Sequence, residues 1–141
     1  MRKNILIITS ILLLVVYFST GCKKDENTNA EFRIQIDSLI MPDTINFGDV
    51  LNVEFYGLIG DNSCYTFSKF NTLQSGASDP PNSMRMEVLG IFQDDGNCQA
   101  QQVYMSPATA SITGGLIAGE FILLAVQPNG SVMTGTCFVK E

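Results

Sequence analysis

The residues that could carry chemistry in this sequence are cysteines, carboxylates, lysines and tyrosines, because histidine is absent. The chain holds four Cys and fourteen Asp and Glu, but no His. Histidine is the commonest general base in enzymes and the usual zinc ligand, and its absence also excludes every Ser-His-Asp or Cys-His arrangement. An enzyme built on this chain would have to work with carboxylates, tyrosine or lysine, so the composition favours a non-enzymatic protein.

Two groups of polar residues have the types needed for a site. Asp94-Asp95-Gly96-Asn97, together with Asp61-Asn62, offers oxygen ligands for calcium. The run lacks the spaced ligands and the closing glutamate of an EF-hand, so we interpret it as a turn. Ser68 and Lys69 resemble a serine-lysine nucleophile pair, but they are adjacent in a predicted strand, where side chains point to opposite faces. Neither group predicts a metal site or a catalytic residue.

The tyrosines offer a different kind of contact, because aromatic rings can stack on sugars. Tyr56, Tyr65 and Tyr104 lie in predicted strands with other aromatic residues near them. Alternating aromatics in strands are, however, most often cross-strand pairs or core residues. An exposed, coplanar pair of rings would favour a glycan-binding role. No cofactor is predicted.

The beginning of the chain predicts how the protein is exported. Arg2 and Lys3 precede an apolar run from Ile5 to Phe18, fourteen residues interrupted only by Thr9-Ser10. A helix needs about 20 residues to span the hydrocarbon core, so the run favours a signal peptide over a permanent membrane span.

The run ends in Ser19-Thr20-Gly21-Cys22, which resembles the lipobox of bacterial lipoproteins. The resemblance implies cleavage before Cys22, a diacylglyceryl group on its sulfur and attachment to a membrane. The following Lys23-Lys24-Asp25-Glu26 resembles surface lipoproteins of the Bacteroidetes type, which implies export to the outer face of the outer membrane. We therefore expect a signal peptide over residues 1–21, a lipidated N-terminus and flexible tether over 22–31, and one domain over 32–141.

The charge of the mature chain excludes one class of partner. Removing Arg2 and Lys3 with the signal leaves six basic residues against fourteen acidic ones, a net charge of −8. An acidic surface repels the phosphate backbone, so nucleic-acid binding is not expected.

Alternating apolar and polar residues predict strands throughout the domain. The clearest are 32–36, 51–56, 64–70, 84–92, 98–105, 122–126 and 131–139, with a short edge piece at 43–49. Residues 122–126 are continuously apolar, which is typical of a strand buried on both faces. Residues 71–83 hold a glycine and two prolines and predict a long loop. The sequence predicts an all-β domain, an antiparallel β-sandwich of about seven or eight strands.

This strand spacing resembles the immunoglobulin-like and fibronectin-III-like domains of bacterial surface proteins over roughly residues 32–139. Leu116-x-Ala118-Gly119-x-Phe121 resembles the turn that enters the penultimate strand of that family, with phenylalanine where a tyrosine is frequent. The chain has no tryptophan, so an antibody-type Cys-Trp-Cys core is excluded.

Three cysteines remain once Cys22 carries lipid, and three pairings are possible. Cys64 and Cys98 both begin predicted strands just after polar turns, where two loop ends can meet, so we favour this pair. A Cys-Tyr-x-Phe strand with a second cysteine some thirty residues on also resembles small bacterial surface lipoproteins. The rival pairing of Cys64 with Cys137 would join the two sheets, whereas we expect Cys137 to be a buried core residue.

These observations favour a membrane-anchored, surface-exposed lipoprotein that acts as a binding or structural module of the cell envelope. The expected partner is an envelope protein or a glycan, and the loop at 71–83 is the expected contact region. The alternatives are an accessory glycan-binding module and a hydrolase that uses two carboxylates about 5–10 Å apart.

Overall fold

The computed structural model describes residues 30–94 and 96–141, and within these ranges the chain is all-β, with eleven strands and no helix. Residues 1–21, Cys22 and the tether up to residue 29 lie outside the described residues. Ala30 and Glu31, which the sequence placed in the tether, belong to the first strand. The strands are β1 (Ala30–Arg33), β2 (Ser38–Ile40), β3 (Thr44–Asn46), β4 (Leu51–Tyr56), β5 (Leu58–Asn62), β6 (Tyr65–Leu73), β7 (Ser83–Phe92), β8 (Ala100–Tyr104), β9 (Ala108–Ile112), β10 (Gly119–Val126) and β11 (Val132–Lys140).

Strand β7 is the centre of the largest sheet, which has six strands. Along one edge, β7 pairs with β6 from residue 85 to residue 92. Its other edge is shared, because β1 pairs with residues 89–92 and β10 pairs with residues 83–86. The sheet then continues from β10 through β11 to β3.

Two pairings in this sheet are parallel, so the prediction of a wholly antiparallel arrangement is wrong. β10 runs parallel to β7, and β3 runs parallel to β11. Parallel neighbours need a crossover between them. The crossover from β7 to β10 contains β8 and β9, which pair in two other sheets, and an alternation pattern carries no information about such long-range pairing.

The core lies between the six-stranded sheet and a three-stranded sheet of order β2-β4-β9. In β4, Leu51, Val53 and Phe55 are fully buried and alternate with more exposed residues, as the period of two predicts. The ring centroid of Phe55 lies 5.3 Å from that of Phe70 on β6, which joins the two sheets. The burial on both faces expected for residues 122–126 is confirmed for residues 123–126, whereas Ile122 is half-buried.

The strand boundaries differ from the predicted ones around loops. β6 extends to Leu73, so the predicted loop at 71–83 is shorter and covers residues 74–82. The predicted strand at 122–126 begins earlier, at Gly119, and the separate strand β9 ends at Ile112. Gly115 in the connection and Gly119 at the start of β10 have positive φ angles of 77° and 111°, which favour glycine.

The registers place the ends of the strands at two poles. At the disulfide pole, Ala30 and Tyr65 both pair with Phe92. At the loop pole, Gly119 pairs with Val139 and Asn46 pairs with Lys140. The turn at 47–50 and the loop at 113–118 extend from this second pole, because Leu51 pairs with Ile112 there. The loop at 74–82 lies at the same pole. The side chain of Asn82 at its end donates hydrogen bonds to the backbone oxygens of Ile117 and Glu120.

Gly57 lies where the chain leaves β4 for β5, and a substitution at this position tests the packing there. A Cβ atom at this position would lie 2.2 Å from the backbone oxygen of Gln35, and a backbone group cannot rotate away. We expect Gly57→Ala to lower the free energy of unfolding by about 3 kcal/mol, the upper part of the range for overpacking. Gly114→Ala is the matched control, because its Cβ would meet nothing within 4 Å and its φ is not positive. Urea unfolding of both variants measures the difference, and equal midpoints would contradict the packing described here.

Candidate functional site

A disulfide joins Cys64 to Cys98 at the disulfide pole, across 34 positions of sequence, with the two Cα atoms 5.3 Å apart. This is the pairing that the sequence favoured. In the chain-entropy picture a loop of this length contributes roughly 3–4 kcal/mol to stability. Cys137 is a free thiol that is 2% exposed on the inner side of β11. Burial raises the pKa of this thiol, so it stays protonated and packs as a small apolar side chain.

The acidic turn beside the disulfide uses its oxygens within the turn. Asp94 accepts a hydrogen bond from the backbone N–H of Gly96 at 2.8 Å, and Asp61 accepts one from the Asn62 amide at 3.2 Å. Asp95 lies outside the described residues. Asp94 is also close to the sulfurs of Cys64 and Cys98, but these sulfurs are bonded to each other and are not thiolate ligands. Asp94 therefore has the geometry of an Asx turn, in agreement with the interpretation of this run as a turn.

The side chains of Lys69, Tyr65 and Tyr56 all contact neighbouring side chains. Lys69 Nζ forms an ion pair with Glu31 at 2.8 Å. The ring of Tyr65 packs between those of Phe32 and Phe92, with centroids at 5.4 and 4.7 Å. The Tyr56 hydroxyl donates to Glu54 at 2.7 Å.

Tyr104 is the most exposed aromatic side chain of this group, at 57%. It lines an apolar groove between the β6 edge and the start of β9, together with Ile59, Phe67, Phe70 and Met105. The rings of Phe67 and Phe70 meet at 55°. The aromatic contacts among the described residues have interplanar angles of 40–85°, so none of them forms the flat platform that sugar stacking requires.

Glu87 is a charged residue in the middle of β7 that is only 8% exposed. One of its oxygens accepts hydrogen bonds from the Arg33 guanidinium on β1, and the other accepts one from Asn71 on β6 at 2.8 Å. The Asn71 amide and the Arg33 guanidinium hold the pKa of Glu87 below its usual value, although burial acts in the opposite direction. This carboxylate therefore ties three strands together rather than facing a ligand.

The loop at 74–82 is held in a similar way. Asp79 accepts a hydrogen bond from the Gly76 backbone at 2.6 Å and pairs with Arg85 of β7 through both carboxylate oxygens, at 2.6 and 2.8 Å. The hydrogen bonds from Arg85 and from Gly76 lower the pKa of Asp79. This predicted contact region thus lies at the loop pole in a fixed shape.

The loop pole also carries three exposed large apolar side chains. Phe47 is 63% exposed, Ile117 is 59% exposed and Phe138 is 51% exposed. We call these three side chains, with the carboxylates of Asp43 and Glu120, the loop-pole patch. Burying such side chains is favourable by roughly 1.5–3 kcal/mol each, so their exposure is a feature that requires an explanation.

Sequence reasoning missed this patch, although part of its signal was visible. Phe47 stands between Asn46 and Gly48 in a polar turn, and Ile117 follows the buried Leu116 in a glycine-rich loop, so that only one of these two apolar neighbours enters the core. Phe138 alternates with the buried Cys137 and Val139, so it must point to the outer face of the sheet.

Comparisons with protein families, with curated proteins and with solved structures find no match for this chain. Among the described residues there is no helix with the length and apolar character needed to cross a membrane.

The low pKa of Glu87 predicts how acid weakens the fold. Its pKa is lower in the folded protein than in the unfolded chain, so its contribution is complete above the unfolded value of about 4 and is lost as pH falls through the folded value. We expect Glu87→Gln to lower stability near pH 7 and to flatten the acid limb of the stability curve. The pKa of Asp79 is also lowered in the folded protein, so part of the loss of stability at low pH remains in this variant.

Urea midpoints at pH 7, 5, 4 and 3 measure this effect. Asp37→Asn, at an exposed carboxylate, is the control and should leave the curve unchanged. An acid limb as steep in Glu87→Gln as in the natural protein would contradict the role assigned to Glu87.

Proposed function

We propose that this protein is a lipid-anchored, surface-exposed lipoprotein of the bacterial outer membrane, of the Bacteroidetes type, and that it is a non-enzymatic binding module. The anchor is the lipobox cysteine, Cys22. The domain is an immunoglobulin-like sandwich whose two larger sheets enclose the core, modified by the parallel pairing of β7 with β10.

One observation carries this proposal: the chain enters the domain at one pole and presents exposed apolar residues at the other. Ala30, the first described residue, pairs with Phe92 beside the disulfide. Phe47 and Ile117 lie at the opposite pole. A domain held by Cys22 through residues 23–29 has its disulfide pole nearer to the membrane, so the loop pole is accessible to a partner.

The arrangement of carboxylates favours binding over hydrolysis. A carboxylate pair that cleaves glycosides needs one member in an environment that keeps it protonated as an acid. Asp43 and Glu120 line one shallow surface depression, but both are exposed to solvent. Glu87 and Asp79, the carboxylates in buried surroundings, are each committed to an arginine.

A glycan-binding role is the alternative, and the groove beside Tyr104 is the place for it. The tilt of Phe67 against Phe70 does not favour it, because sugar rings stack on flat aromatic surfaces.

The anchor has a direct test in the full chain expressed in a bacterium with an outer membrane. We expect an alkyne fatty acid to label the natural protein, whereas Cys22→Ala accumulates as an unlabelled precursor. Cys137→Ala is the matched control and should be labelled normally. Protease added to intact cells should digest the natural protein if it faces outward. Labelling that survives in Cys22→Ala would refute the anchor, and protection from protease would refute surface exposure.

A further inference from the structure

We propose that the loop-pole patch docks a protein partner through a segment in which an apolar side chain is flanked by lysine or arginine. This inference rests on the proposed binding role and names the chemistry of the partner.

Phe138, Glu120 and Asp43 are neighbours at the centre of the patch. Phe138 of β11 pairs with Glu120 of β10, and its backbone N–H donates to the backbone carbonyl oxygen of Asp43 at 2.8 Å. Asp43, Glu120 and Phe138 line one shallow depression. A second depression shares Phe138 and extends past Ala118 toward Glu141.

The exposed side chains of the two loops lie at the border of these depressions. The backbone N–H of Phe47 donates to the Lys140 oxygen at 2.7 Å, which places Phe47 beside the second depression. Ile117 precedes Ala118, which lines that depression, and its own oxygen accepts from Asn82 at 3.3 Å. Exposed apolar side chains are thus present both at the turn at 47–50 and at the loop at 113–118, on either side of Phe138.

The charges of the described residues leave this surface acidic. Residues 30–94 and 96–141 contain eleven carboxylate side chains and four cationic ones. Three of the cations, Arg33, Lys69 and Arg85, form ion pairs with carboxylates away from the patch. Lys140 lies near the patch and forms no ion pair with another described residue, nor do Asp43 and Glu120.

These features fit a cationic partner. An aromatic ring between two carboxylates attracts an ammonium or guanidinium group, through the negative face of the ring and through ion pairs. The neighbouring Phe47 and Ile117 offer apolar surface for an adjacent side chain and for the aliphatic stem of the lysine or arginine.

Other occupants fit the patch less well. An anionic lipid surface is repelled by its carboxylates. A second copy of this chain, docked about a two-fold axis, would bring the same carboxylates together, since a two-fold interface is self-complementary. A glycan would lack the positive charge that Asp43 and Glu120 select.

Selection of peptides from a random 12-residue display library on the full chain, purified in detergent, tests the proposal. We expect enriched peptides to contain lysine or arginine next to an apolar residue. Fluorescence anisotropy of the synthesised peptides should show about tenfold weaker binding to Phe138→Thr and to Glu120→Lys. The dissociation constant should rise with added sodium chloride, because ion pairs at exposed sites are screened.

Matched variants elsewhere separate the patch from general effects. Tyr104→Ser removes an exposed aromatic ring from the side groove, and Asp61→Lys reverses a charge at the disulfide pole. Both should leave the affinity within about twofold, since surface changes away from an interface cost less than roughly 0.5 kcal/mol. Thermal unfolding confirms that each variant is folded.

Several results would overturn the inference. These are no enriched peptide, peptides without basic residues, or binding that Phe138→Thr and Glu120→Lys leave unchanged. Sedimentation that shows a dimer lost in Phe138→Thr would assign the patch to a second copy instead. If the protein is labelled by fatty acid and exposed on cells but fails this selection, the anchor stands and only the partner assigned here is wrong.

Discussion

The pairing of β1 with β7 fixes the end of the domain at which Ala30 lies. Four residues of β1 align with the end of β7, and Arg33 is fixed to the nearly buried carboxylate of Glu87. The register places Ala30, the first described residue, beside the Cys64–Cys98 disulfide. The exposed loops lie at the opposite pole.

The same ion pairs that hold the strands also shape the surface. Arg33 and Arg85 are directed to Glu87 and Asp79, so these cations stabilise the sheet and the loop at 74–82 rather than facing a ligand. A buried carboxylate without its arginine would be costly, which keeps these pairs intact. The surface that remains is acidic, and at the loop pole it surrounds exposed apolar side chains.

Local patterns predicted much of the fold but little of the candidate site. The alternation of Leu51, Val53 and Phe55 identified a half-buried strand, and the polar turns before Cys64 and Cys98 favoured their pairing. The parallel pairing of β7 with β10 was not predictable, because residues distant in sequence decide it. The loop-pole patch was missed for the same reason: Phe47, Ile117 and Phe138 come to the same pole only through the pairing of β3, β11 and β10.

Energy transfer to the membrane surface tests the orientation most directly. A fluorescent unnatural residue would replace Val50 at the loop pole or Asp61 at the disulfide pole of the lipidated full chain in vesicles containing acceptor-labelled lipid. β7 has ten residues, a length of about 30 Å at roughly 3.3 Å per residue, so the two sites differ clearly in their distance from the bilayer. If the disulfide pole is nearer to the bilayer, energy transfer is stronger from position 61 than from position 50, and this is the result we predict. Equal transfer, or stronger transfer from position 50, would contradict it.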